Sequence, residues 1–147
     1  MTLYAKWTNE NYVVSFDSDG GSLVNDVDVL YQDLVTKPDD PTRVGYTFLG
    51  WYLGTETTPW NFEEDKVEGN MSLVAKWELN SYVVSFDTDG GSEITSETVF
   101  YNDFANEPNS PTKAEFIFAG WYKDIDKTNP FNFETQKITG DTTVYAK

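Results

Sequence analysis

Two aspartates beside a pair of glycines form the first group of residues that could support chemistry. Asp17 and Asp19 precede Gly20 and Gly21 in the stretch FDSDGGS, which has some of the residues of a calcium-binding loop. An EF-hand loop also needs a third oxygen-bearing residue, where this chain has Gly21, and a bidentate glutamate at its end. Aspartate and glycine both tolerate positive φ. We predict a chain reversal here, with weak calcium binding as the alternative.

Catalysis has few candidate residues in this sequence. Neighbouring carboxylates such as Glu63 and Glu64 could serve as the acid pair of a glycosidase, but with 25 acidic residues such neighbours are expected without any function. The chain has no histidine and no cysteine, which excludes Ser-His-Asp triads, cysteine nucleophiles, disulfides and nearly all zinc sites. We predict a non-enzymatic protein without catalytic residues, bound metal or cofactor.

Two tryptophan–tyrosine pairs could form an aromatic platform for a sugar or a peptide. They are Trp51–Tyr52 and Trp121–Tyr122. Because neighbouring strand residues face opposite ways, one ring of each pair should be buried and the other partly exposed. Packing is the favoured role for these rings. If an exposed site exists, Tyr52 and Tyr122 are the candidate partner-binding residues.

A lysine recurs in three similar segments, as Lys6, Lys76 and Lys147. Lysines in some wall-anchored proteins form isopeptide cross-links, which require the lysine to be buried beside an acid. Alternation along a strand places Lys76 on the face opposite Leu73 and Trp77. We therefore predict a solvated lysine or one on an edge strand.

The charge of the chain argues against nucleic acids and anionic membranes as partners. The formal net charge is -15, and such a surface repels nucleic-acid phosphates and anionic lipid headgroups. No apolar run is long enough to span a bilayer. We predict no nucleic-acid partner and no direct membrane insertion. The aromatic content of 16% argues against disorder and for a packed core.

The elements that position these residues occur twice. The segment NYVVSFDSDGGS at residues 11–22 recurs as SYVVSFDTDGGS 70 residues later, and GWY at 50–52 recurs at 120–122. A third copy of the terminal segment stands at the front, where MTLYAKW matches MSLVAKW at residues 71–77. We predict two repeats, residues 11–77 and 81–147, preceded by an unpaired terminal strand of another repeat at residues 1–7.

Each repeat is predicted to be mostly strand. Alternation over residues 12–17 indicates a half-buried strand that forms a hairpin with residues 27–31. Further strands are expected at 46–52 and 73–77. Pro38 and Pro41 forbid a long helix between them, leaving a short helical turn near residues 33–36, with Leu34, or Phe104 in the second copy, pointing inward. The predicted core of the first repeat consists of large rings: Phe16, Phe48, Trp51, Trp60 and Phe62.

These motifs, in this order, resemble the Listeria–Bacteroides repeat, also called the internalin B-repeat. The resemblance rests on YVVSFDSDGG, the central PT-R-V-GY-T-F-L-GWY, the Asn61–Phe62 pair and the closing AKW. The second copy departs at Ala114–Glu115, where the pattern has a glycine, so a differently shaped turn is expected there. The resemblance implies an α+β, predominantly β fold of tandem small β-grasp-like modules.

The resemblance also implies where such a chain works. Family members occur in secreted or wall-attached bacterial proteins, as spacers or as modules with modest host contact. The predicted function is thus a spacer or stalk outside the cell, with weak adhesion to a host or cell-surface protein or glycan. The alternative is a dedicated carbohydrate- or protein-binding module using exposed aromatics. Self-association through the strand Met1–Trp7, added to a sheet edge of another molecule, is a further expectation.

Overall fold

The protein consists of eight strands without a helix. The computed structural model describes all residues from 1 to 147. The strands form two four-stranded sheets, with orders β2-β1-β4-β3 and β6-β5-β8-β7. Compact units at residues 1–78 and 79–147 contain one sheet each. The strands are β1 Asn11–Asp17, β2 Val27–Leu30, β3 Tyr46–Leu53, β4 Met71–Leu79, β5 Ser81–Asp87, β6 Glu97–Phe100, β7 Trp121–Tyr122 and β8 Thr142–Ala146.

The predicted hairpin of each repeat is confirmed. In repeat 1, β1 and β2 are antiparallel, with Tyr12 opposite Val29 and Val14 opposite Val27. These residues face the core, whereas Val13 faces solvent, as the two-residue period requires. The chain reverses after β1 at Asp19, which has a positive φ of 45° and donates its N–H to the carboxylate of Asp17 over 3.0 Å.

The last strand of each repeat lies in the middle of its sheet. β4 runs parallel to β1, with Phe16 opposite Leu73, and β3 borders its other side. In repeat 2, β8 lies between β5 and β7 in the same way. The edge-strand alternative for Lys76 is therefore wrong, because β4 has a hydrogen-bonded neighbour on each side.

No helix follows the hairpin, so the α+β assignment is wrong and the fold is predominantly β. Leu34 forms an isolated antiparallel bridge with Lys66, and Val67 donates its N–H to the Asp33 carbonyl over 3.1 Å. A helical turn would need local partners within the segment itself, but the partners come from the chain 34 residues away. Without a helix for the sheet to enclose, the β-grasp assignment is not confirmed.

The inward positions after the hairpin also differ from the prediction. Leu34 is 44% exposed, and its counterpart Phe104 is exposed as well. The next residues, Val35 and Ala105, are buried instead. A segment held extended by bridges alternates its side chains, which moves the inward position by one residue.

Each repeat has a core built around one tryptophan. Trp51 is buried in repeat 1, with the rings of Phe16 and Phe48 edge-on at 4.9 and 5.5 Å. Trp121 has the same place in repeat 2, with Phe86 and Phe118 both at 5.3 Å. Such edge-to-face contacts add roughly 0.5–1.5 kcal/mol per pair beyond burial of area. Of the other predicted core rings, Trp60 and Phe62 are partly buried against the cluster.

Candidate interaction surface

Gly50 precedes the first Trp–Tyr pair, Trp51–Tyr52, and its backbone conformation and close surroundings require a glycine. Gly50 has φ +140°, and a Cβ at this position would lie 3.2 Å from the Cβ of Pro59. A larger residue would thus be strained in its backbone and crowded against proline. Beyond this glycine, the Trp51 side chain enters the core. The backbone carbonyl of Trp51 accepts a hydrogen bond from the backbone N–H of Trp60 over 2.7 Å. The turn to Pro59 and Trp60 is thereby fixed against β3.

Both candidate tyrosines lie close to a lysine ammonium. Tyr52 is only 9% exposed, with Lys76 Nζ 4.0 Å from its ring centroid. Tyr122 is partly exposed, with Lys147 Nζ at 5.1 Å. Cation–π attraction at these distances stabilises the lysine over the ring face. The role of the two rings in partner binding stays a prediction, and Tyr52 offers little free surface for it.

Lys76 has a defined position on the outer side of repeat 1. Its Nζ donates to the Glu56 carbonyl over 2.7 Å while lying over Tyr52. The side chain therefore ties the loop after β3 to the centre of the sheet. Lys76 lies on the face of β4 opposite to Leu73, as predicted. Its ammonium group has a protein partner, however, in the Glu56 carbonyl.

The tryptophan near the end of β4 fits a site on repeat 1 that we call the Trp77 site, formed by Ser18, Gly21, Arg43 and Phe48. The indole Nε1 of Trp77 donates to the Ser18 carbonyl over 3.0 Å. A Cβ on Gly21 would lie 2.5 Å from the indole ring, so only glycine leaves room for it. The Phe48 ring is 5.4 Å away and edge-on, and the Arg43 guanidinium lies 6.0 Å from the indole.

Hydrogen bonds and ion pairs order two loops of repeat 2. Lys127 binds the Asp89 carboxylate over 2.7 Å and, with Lys113 at 3.6 Å, lowers the pKa of Asp89. Asp124 accepts from the backbone N–H groups of Thr128 and Asn129 over 3.0 and 2.8 Å. These bonds stabilise its charged form and lower the pKa of Asp124 to about 2.

The acidic residues considered for calcium binding and catalysis lie in two hydrogen-bonded turns. The Asp17 carboxylate accepts the Asp19 N–H within the chain reversal, and no group of three or more acidic side chains is arranged to hold a metal ion. Glu63 and Glu64 are exposed, and their N–H groups donate to Asn61 over 3.0 and 3.1 Å. These backbone contacts close a local turn and leave the two carboxylates exposed.

Sequence reasoning missed a set of exposed apolar residues that recurs in both repeats. Each lies on the solvent side of the hairpin or just after it. Strand alternation was the available signal. It places Val13 and Leu30, and their counterparts in repeat 2, on the outer face of the hairpin, although all of them are apolar. The set comprises Val13, Leu30 and Leu34 in repeat 1 and Val83, Phe100 and Phe104 in repeat 2.

Comparison with known proteins decides the family. The sequence profile of the Listeria–Bacteroides repeat domain matches residues 12–76 and again residues 82–147. The chain belongs to the Listeria–Bacteroides repeat family. The predicted resemblance, with two tandem copies, is confirmed, and residues 1–11 precede the first matched range.

Relatives of this repeat chain are longer proteins. Two from Evansella cellulosilytica, named "Putative Gly-rich membrane protein" and "Putative membrane protein", are 43% and 41% identical over the whole chain. Internalin H of Listeria monocytogenes is 38% identical over 94% of the chain. The chain spans 17%, 22% and 25% of the lengths of these three proteins. The chain itself has no helix capable of crossing a membrane.

Proposed function

We propose that the two repeats form a spacer segment of a bacterial surface protein, outside the cell, with modest contact to host or cell-surface molecules. The observation that carries this proposal is that each repeat closes its own sheet around its own buried tryptophan, Trp51 or Trp121. A unit of this kind can be added in series without changing its neighbours. Similarity to Internalin H supports placement in a surface protein.

The surface chemistry agrees with a spacer. No polar or charged residue is buried in either repeat, so the net charge of -15 lies on the surface. A surplus of one sign keeps exposed modules soluble and apart. Only Asn80 separates β4 from β5.

Thermal unfolding of each repeat on its own tests the spacer. We expect residues 1–78 and residues 79–147, expressed separately, each to melt cooperatively, because each repeat closes its own sheet around its own tryptophan. Two halves that are both molten while the intact chain stays folded would contradict the proposal. The first half with Trp51→Ala is the control and should not melt cooperatively.

The alternative function is a dedicated carbohydrate- or protein-binding module. It would need the rings of Tyr52 and Tyr122 to be accessible. Glycan-array binding that is lost in both Tyr52→Ala and Tyr122→Ala, with Lys137→Ala as the unaffected control, would favour this alternative. Lys137 lies near the exposed ring of Phe104, away from the two tyrosines in sequence.

A further inference from the structure

Strand β6 forms an open edge of the sheet in repeat 2. It comes first in the order β6-β5-β8-β7, so β5 is its one neighbouring strand. Tyr101 donates its backbone N–H to the Asn80 carbonyl over 2.8 Å, and the backbone groups of an antiparallel pair alternate in direction. The N–H and C=O of Thr98 and the N–H of Phe100 therefore point away from β5, where they can pair with an added strand.

A groove lies along this edge, and we call it the β6 groove. Its lining comprises the strand itself, residues 97–100, and three residues of the segment that follows, Asp103, Phe104 and Asn106. Its volume is about 350 Å³, far more than the roughly 10–15 Å³ that one water needs. Asn106 donates its backbone N–H and its side-chain amide to the Glu97 carboxylate over 2.6 and 2.9 Å. These two bonds hold the following segment beside the strand.

The outer face of this edge is apolar. Phe100 is 55% exposed and Phe104 is 45% exposed. Val83 is exposed as well and lies opposite Thr98, so Phe100 is its diagonal neighbour across the strand pair. Open edges are normally protected by charged side chains or proline, whereas this one presents two aromatic rings. Repeat 1 has exposed apolar residues at the same three positions, so the feature belongs to the repeat itself.

The opposite face of this edge is acidic. Strand alternation places Glu97 on the face opposite to Phe100, and its carboxylate has lone pairs for donors besides Asn106. Lys137, whose Nζ lies 5.8 Å from the Phe104 ring centroid, adds one positive charge near the rings. Residues 93–112 contain no lysine or arginine and four acidic residues, Glu93, Glu97, Asp103 and Glu107. A strand added to β6 is therefore favoured by a positive charge beside Glu97.

We propose that the β6 groove binds an extended segment of a partner protein in which apolar residues alternate with lysine or arginine. The segment adds to β6 as a further strand and exchanges hydrogen bonds with Thr98 and Phe100. Its apolar side chains cover Phe100 and Phe104, and its cations lie beside Glu97. A second copy of this chain fits poorly, because each copy has a net charge of -15. The proposal rests on the contact part of the proposed function, whereas the spacer part is tested separately by melting each repeat.

Titration of the ¹⁵N-labelled chain with a blocked peptide, Lys-Val-Lys-Val-Lys-Val-Lys, tests the proposal. We expect the amide signals of Thr98, Phe100 and Asn106 to shift, with a dissociation constant of about 0.1–1 mM because the contact is small. The equivalent signals in repeat 1 should shift less, since Val27 stands where repeat 2 has Glu97. Two control peptides should shift none of these signals. One has glutamate in place of each lysine, and the other has methyl groups on all its backbone amides, which prevents strand pairing.

Two variants of the chain test the two faces of the edge. Phe100→Ser should weaken binding of the lysine peptide about fivefold, because it removes the apolar cover on the outer face. Glu97→Gln should weaken it about threefold, because it removes the charge but keeps an oxygen acceptor for Asn106. Leu30→Ser, at the counterpart of Phe100 in repeat 1, is the matched control and should leave the shifts in repeat 2 unchanged.

Several results would overturn the proposal. They are the absence of shifts along β6, equal binding of either control peptide, and binding that is unaffected by Phe100→Ser. Sedimentation equilibrium without peptide provides a further check on the occupant. A mass that rises with concentration in the unaltered chain and stays constant in Phe100→Ser would assign the edge to a second copy of the chain instead.

Discussion

Glu115 in repeat 2 has a left-handed backbone conformation at a position where repeat 1 has a glycine, Gly45. Glu115 has φ 67°, close to the 80° of Gly45. Both turns close with the same bond, from the N–H of Phe116 or Tyr46 to a carbonyl three residues earlier, over 3.1 Å. The expectation of a differently shaped turn at Ala114–Glu115 is therefore wrong. The turn is retained, and a side chain in the left-handed region strains it.

Glycine at position 115 should relieve this strain. We expect Glu115→Gly to raise the free energy of unfolding of repeat 2 by about 0.5–1 kcal/mol, as lost strain exceeds the added flexibility of the unfolded chain. Gly45→Ala should lower the stability of repeat 1 by at least about 1 kcal/mol. Urea unfolding of the two variants checks both signs. A loss of stability in Glu115→Gly would show that the glutamate side chain has a stabilising contact.

At the scale of elements, the sequence predicts strands that have a local pattern. Alternation around Val14 and Phe16 locates β1. The helical turn near Leu34 was predicted wrongly because the segment is held by a residue distant in sequence, Val67, whose N–H donates to the Asp33 carbonyl. The Trp77 site was also beyond reach, since nothing local relates Gly21 to an indole 56 residues away.

The loop after β7 gives a prediction about pH. Asp124 has a pKa of about 2 against an ordinary value of 3.8, because backbone N–H groups at Thr128 and Asn129 favour its charge. A lowered pKa in the folded state contributes stability that is present above the ordinary value and lost as the pH falls from about 4 to about 2. We expect repeat 2 to be less stable in Asp124→Asn at pH 6, and the difference to disappear near pH 2.

Melting temperatures between pH 2 and 7 measure this effect. Asp126→Asn is the matched control, because Asp126 is in the same loop and its carboxylate accepts no hydrogen bond. Its melting curve should follow that of the unaltered chain at every pH. An Asp124→Asn difference that persists unchanged at pH 2 would show that the contribution is not linked to ionisation of this group.

At the scale of the whole molecule, the two repeats are separate in their cores. Each cluster of buried residues lies within one repeat, around Trp51 or around Trp121. Units of about 67 residues bury only roughly 60% of the surface of the unfolded chain. Their total stability should be about 0.05–0.15 kcal/mol per residue, so the loss of one large ring is a large fraction of it.

This separation predicts the result of removing one tryptophan from the two-repeat chain. Trp51→Ala should cost about 3–5 kcal/mol and unfold most of repeat 1, while repeat 2 stays folded. In an ¹H–¹⁵N spectrum, the indole signal of Trp121 should keep its native position while signals of β1 collapse to unfolded values. Trp121→Ala is the mirror experiment and should spare Trp51. Loss of both repeats in either variant would mean that the cores depend on each other, and the spacer proposal would lose its basis.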